Sequence, residues 1–141
     1  MTTDSLVKVE ERDKKAIFNN QQREIFYKID VDGCIVRNET SADKIVKKPS
    51  NKNNGSCKAL VVELKGSPDV AHAVDQIDAT ISLLRNTDAT CKNIAALIVC
   101  NSSPAYSSNA RKGQEFIRKK HRVALYVTTK NKIHDFESFF T

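Results

Sequence analysis

The chain has 141 residues and 23 Lys and Arg against 17 Asp and Glu, a formal charge of +6. Its 40% hydrophobic content suits one soluble globular domain over residues 1–141, and no apolar run approaches the roughly 18 residues of a membrane helix. The charge excess is uneven: residues 92–141 hold nine basic and three acidic side chains, while the first 91 residues are balanced. That asymmetry is compatible with a polyanion partner.

The stretch from Leu6 to Arg23 has weak periodicity and is expected to be partly helical. Ile25 to Val31 alternates and predicts a strand; Asp32-Gly33 supplies a turn, and Cys34-Ile35-Val36 could resume the sheet. Asp43 to Val46 predicts a second strand, and the Asn-rich segment from Lys47 to Lys58 a polar loop. Ala59 to Lys65 is the clearest strand. Leu60, Val62 and Leu64 point to one face, and Val61, Glu63 and Lys65 to the other.

Ser67-Pro68-Asp69 is a helix-start signal, and the helix is expected to run from Pro68 to Leu84. Val70, Ala73, Val74, Ile77, Ile81 and Leu84 make its apolar stripe, with His72 and Gln76 on one flank. Asn93 to Cys100 is nearly all apolar, as expected of a strand buried on both faces. A helix over Asn109–Lys120, a strand over Val123–Thr128 and a closing helix over His134–Phe140 complete the order. This order predicts an α/β fold: a mixed central sheet with helices on both faces.

The four cysteines form no C-x-x-C pair, so a zinc site is not expected. The polar first fifteen residues do not look like a secretory leader, which points to a reducing cytoplasm and against disulfides. Asp30-Val31-Asp32-Gly33 begins like a calcium loop but lacks the closing acid. Glycine-rich phosphate loops and a nucleophile elbow are absent. His121 and His134 are expected at the surface.

Asp43, a gap of 19 residues, then Glu63-Leu64-Lys65 resembles the PD-(D/E)xK nuclease superfamily, the restriction-endonuclease-like fold. The surroundings agree: an apolar run leads into Glu63, Gly66 follows Lys65, and the next helix carries Gln76. Ala42 stands where many members have proline. The resemblance covers about residues 25–100. It implies a single-domain, metal-dependent endonuclease hydrolysing phosphodiester bonds, in DNA rather than RNA. Asp43, Glu63 and the Leu64 carbonyl would hold Mg²⁺ or Mn²⁺. Lys65 would stabilise the transition state, and Gln76 would lie near the site. Glu24 is a further candidate metal-orienting residue.

Arg111, Lys112, Arg118, Lys119, Lys120 and Arg122 are candidates for phosphate contacts, against the alternative of solvated helix charges. Glu63 and Lys65 have their own alternative, a solvated pair on an edge strand. Two other readings stand beside the nuclease. One is a catalytically inactive module of the same fold that binds nucleic acid or protein. The other is an assembly protein, a homodimer for example, with Phe136, Phe139 and Phe140 at the subunit interface.

Overall fold

The computed structural model describes residues 1–11, 14–31, 44–49, 57–65, 70–87, 91–100, 108–129 and 133–140. A five-stranded sheet carries strands β3 (Tyr27–Asp30), β4 (Lys44–Lys48), β5 (Lys58–Lys65), β6 (Asn93–Cys100) and β7 (Ala124–Thr129), in that spatial order. β3–β4–β5 are antiparallel and β5–β6–β7 parallel, so the sheet is mixed. The two parallel steps are crossed by α1 (Val70–Thr87) and α2 (Ser108–His121). A parallel connection must traverse the sheet, and an amphipathic helix does so while burying its apolar side.

The alternation of β5 separates two cores. Ala59 and Val61 join Ala73, Val74, Ile77 and Ile81 of α1 and Ala110 and Ile117 of α2. Leu60, Val62 and Leu64 face the other way, toward Val7, Val9, Ala16, Phe18, Phe136 and Phe139. Both long helices therefore cover one face. This corrects the expectation of helices on both.

The opposite face is covered by a three-stranded sheet in the order β1 (Leu6–Glu11), β2 (Lys14–Asn19), β8 (Ile133–Asp135). The first segment is thus an antiparallel strand pair and not a helix. Val7 and Val9 alternate with charged residues, and so do Ala16 and Phe18 with Lys15 and Ile17. Period two puts each set on one face.

The expected closing helix is instead β8 followed by a 3₁₀ helix, Phe136–Phe140. Phe136 packs edge-on against Phe18 and Phe26 at centroid distances of 6.1 and 5.0 Å. Phe136 and Phe139 are only 2% and 7% exposed, so they belong to the core of this chain rather than to a subunit interface.

The polar loop after β4, the Ser67-Pro68-Asp69 helix start and the Cys34-Ile35-Val36 segment lie outside the described residues. No described helix is long and apolar enough to cross a membrane.

Cys57 and Cys91 form a disulfide with a Cα–Cα separation of 4.9 Å. They stand just before β5 and β6, whose first residues Lys58 and Asn93 are paired. The bridge therefore locks the starting ends of two adjacent strands. It overturns the expectation of reduced cysteines at these two positions. Cys100 is a buried free thiol whose ionisation burial disfavours.

Candidate functional site

β5 is a central strand flanked by β4 and β6, with residues 59–64 all buried. Glu63 interrupts this apolar run and is 2% exposed. The reading of Glu63 as a solvated edge-strand residue is therefore wrong. A carboxylate at such a position requires compensation by a donor or a cation, because the ionised form loses its hydration.

Strand alternation puts Glu63 on the same face as Val61, the face covered by α1. Gln76 lies on the buried side of α1, between Ala73 and Ile77, and is 8% exposed. Glu63 and Gln76 therefore both belong to the layer between β5 and α1. Thr80, one helical turn beyond Gln76, is 1% exposed on the same side. Its position on the apolar stripe was the only signal for it. His72 is exposed.

Asp43 lies outside the described residues, as does the side chain of Lys65. Its neighbour Lys44 pairs with Val62, one residue before Glu63. The backbone of Lys65 pairs with Cys100 on β6, so the Glu63-Leu64-Lys65 triplet sits at the C-terminal end of parallel strands. Such ends are where open α/β sheets commonly present ligand sites. Among the described residues no group of three His, Cys, Asp or Glu could hold a metal. The described donors for a cation are the Glu63 carboxylate and the Leu64 carbonyl. Mg²⁺ needs only one or two protein carboxylates beside water and phosphate oxygens, so this donor set fits if a second acid joins it.

Glu24 is not part of this constellation. It pairs with Lys48, which also binds Glu137 at 2.7 Å, and Glu137 in turn pairs with Lys58. Lys48 and Lys58 face each other across β4 and β5. Lys58 is five residues from Glu63, roughly 17 Å along the strand, and its side chain leaves the opposite face. Burial lowers the Lys48 pKa, but the hydrogen bonds to Glu137 and Glu24 outweigh it and leave it raised. Burial raises the Glu137 carboxyl, yet Lys48 and Lys58 hold it below its usual range. The network clamps the 3₁₀ helix to the sheet.

His121 corrects another expectation. It is 6% exposed, and its Nε2 lies 2.6 Å from Asp78 Oδ1 on α1. Lys120 Nζ approaches the same carboxylate at 3.0 Å. Partial burial raises the Asp78 pKa, but the hydrogen bonds with His121 and Lys120 prevail and lower it. Arg85 completes the tie by donating to the His121 carbonyl at 2.6 Å. This cluster ties the C-terminal end of α2 to the middle and end of α1. His134 is half-buried and packs on Phe18 and Phe139.

The basic candidates all sit on or beside α2. Arg111, Lys112, Arg118, Lys119, Lys120 and Arg122 are exposed. Lys119 pairs with Glu115 at 3.1 Å, and Lys120 with Asp78. Ala124 pairs with Ala95, and Ala95 with Leu60, so β7 starts level with a point three residues before Glu63. With two strand spacings added, Ala124 is roughly 14 Å from Glu63. The run from Arg118 to Arg122 therefore adjoins the pole opposite the acidic triplet.

Comparison with protein-family models, with curated proteins and with solved structures returns no match for this chain.

Proposed function

We propose that the chain is a metal-dependent nuclease of the restriction-endonuclease-like kind, hydrolysing phosphodiester bonds in DNA. The observation that carries this reading is Glu63: a buried acid near the C-terminal end of a central strand, facing the helix that bears Gln76. Surface salt-bridge chemistry does not account for an acid in that layer.

The reading makes a specific demand on Asp43. Lys44 pairs with Val62 in an antiparallel ladder. The reading requires that ladder to continue one step, so that Asp43 would stand opposite Glu63 and on its face. Two carboxylates so placed would repel unless a divalent cation joined them. That cation, Mg²⁺ or Mn²⁺, would supply charge neutralisation and an acidified water. Asp43, Glu63 and the Leu64 carbonyl would hold it. Lys65, two residues after Glu63 in the sequence, would stabilise the negative charge that develops at phosphorus. Gln76 would orient groups from the helix side.

The test uses supercoiled plasmid and single-stranded DNA with Mg²⁺ or Mn²⁺, beside Glu63→Gln and Lys65→Ala. Cleavage by the wild type should fall at least a hundredfold in both variants. Equal cleavage by all three proteins would remove the assignment. A binding module without turnover is the second reading. The separation of the basic run from Glu63 favours it, because that surface could hold a polyanion unaided. It predicts salt-sensitive DNA binding with no metal-dependent cleavage.

A further inference from the structure

The six basic candidates do not form one uniform patch. Lys119 and Lys120 are engaged by Glu115 and Asp78, and Lys120 also lies 5.6 Å above the Phe116 ring. Arg111 and Arg118 are seven residues apart on α2, about 10 Å along the helix and within about 20° of one line. Both line an open cleft of about 530 Å³ between α2 and the start of β7, with Gln114, Glu115, Ala124, Leu125 and Tyr126; the Glu115 carboxylate there is paired with Lys119. Arg118 also lines an adjoining cleft with Arg122 and Val123. The three arginines thus mark one continuous track beside the sheet edge, since β7 is the last strand.

Arg122 provides an independent observation. Its φ is +56°, and its N–H donates to the Arg118 carbonyl at 2.9 Å, closing the helix. This is the left-handed cap position where glycine is favoured, because a Cβ there crowds the backbone. An arginine at this position is a choice against local stability, and such strain is often tied to function.

The edge beside the track is partly closed to another strand. Gln114 Nε2 donates to the Leu125 carbonyl at 3.1 Å, occupying a backbone acceptor that an added strand would use. The residues lining the two clefts include no exposed large apolar side chain. A protein partner would want such an anchor at the centre of its footprint, whereas a phosphate backbone needs cations alone.

We infer that Arg111, Arg118 and Arg122 form a nucleic-acid backbone track along α2 and the start of β7, at the edge of the sheet. The inference shares the polyanion partner with the proposed function but does not depend on its chemistry. The polymer is held through phosphates and not read by sequence.

The experiment measures binding of a fluorescent 24-base-pair duplex by anisotropy in EDTA, where no cleavage can occur. Arg111→Gln, Arg118→Gln and Arg122→Gly should each weaken binding about three- to tenfold. Each should also reduce the slope of log affinity against log salt by about 0.9, the value for one lost phosphate contact. Arg122→Gly should raise the urea midpoint while it weakens binding, an opposition that a merely structural arginine would not produce. Because binding is read in EDTA, the result does not depend on cleavage, so failure of the chemistry and failure of the track are distinguishable. Unchanged binding and salt slope in the three arginine variants would overturn the inference. So would polyglutamate competing as well as DNA at equal charge.

Discussion

Gly113 tests whether the packing of the two helices is as close as the structure shows. It sits in the middle of α2, where alanine is favoured over glycine by about 0.8–1 kcal/mol. Propensity alone therefore predicts that Gly113→Ala stabilises. The structure predicts the reverse. A methyl group at Gly113 would overlap Cγ2 of Val74 and lie 3.5 Å from its Cβ. Valine in a helix has one strongly preferred rotamer, so the Val74 methyl cannot swing aside cheaply. α1 cannot retreat either, because Ile77 and Ile81 on the same helix are fully buried with the core side of β5 and β6.

Overpacking of this kind costs about 1–3 kcal/mol, so the net change should be a loss of about 1 kcal/mol. Val74→Ala alone should cost about 1.6 kcal/mol for its two lost methyl groups. In the double variant the new methyl enters the vacated space, and the helix gain is recovered. The expected loss is then below about 1 kcal/mol, against roughly 2.6 if the effects were additive. Equilibrium urea unfolding followed by circular dichroism measures all three. A stabilising Gly113→Ala, or a coupling to Val74 under about 0.5 kcal/mol, would refute the close approach. Disturbance of this contact also moves the helix that carries Gln76, two residues from Val74.

Two further expectations concern stability. The Cys57–Cys91 bridge spans 34 residues, and chain entropy assigns a loop of that size about 4 kcal/mol. Reduction, or the paired serine substitutions, should lower unfolding stability by an amount approaching that figure. A loss below about 1 kcal/mol, or alkylation of both cysteines before any reductant is added, would contradict the bridge. The ion pairs set a pH dependence. Asp78 and Glu137 have depressed folded-state pKa values relative to ordinary values of 3.8 and 4.5. Their contribution is complete above those ordinary values and is lost as pH falls through the depressed ones. Lys48 is raised above 10.5, so its contribution is lost only as pH rises through that raised value. Urea midpoints should be flat from about pH 6 to 9 and fall on the acid side, with Glu137→Gln giving a shallower acid fall. An unchanged acid slope in that variant would count against the Lys48–Glu137–Lys58 network.

Local periodicity was a good guide wherever the chain's own geometry decides the outcome. The strand over Asn93–Cys100 coincides with β6, and Ala59–Lys65 lies within β5. The helix expected to end at Leu84 runs three residues further, to Thr87. Glu63 and Gln76 were legible for the same reason: alternation and helical spacing assign a face before any folding. The first segment was misread because its apolar positions come in two short groups, Leu6 to Val9 and Ala16 to Phe18, split by a charged stretch that blurs any period. Their strand character is secured by the core they cover, with Phe136 and Phe139 arriving from the far end of the chain.

The sequence by itself determined the order of elements from β3 to β7, the two-faced character of β5, and the acid-bearing triplet at its end. These depend on bond geometry and side-chain period, which act within a few residues. Only the tertiary structure decided that both helices cover one face and that the terminal strands cover the other. Only it decided that Cys57 meets Cys91, that Glu24 belongs to Lys48, and that His121 is buried against Asp78. Each of these joins residues separated by more than twenty positions, where crossover direction and shared burial set the distance. The excess positive charge shows the same division. Its count is a property of the composition, but its place was fixed when α2 returned from the end of β6 to the start of β7. That return sets the arginine track along one edge of the sheet and leads it away from Glu63.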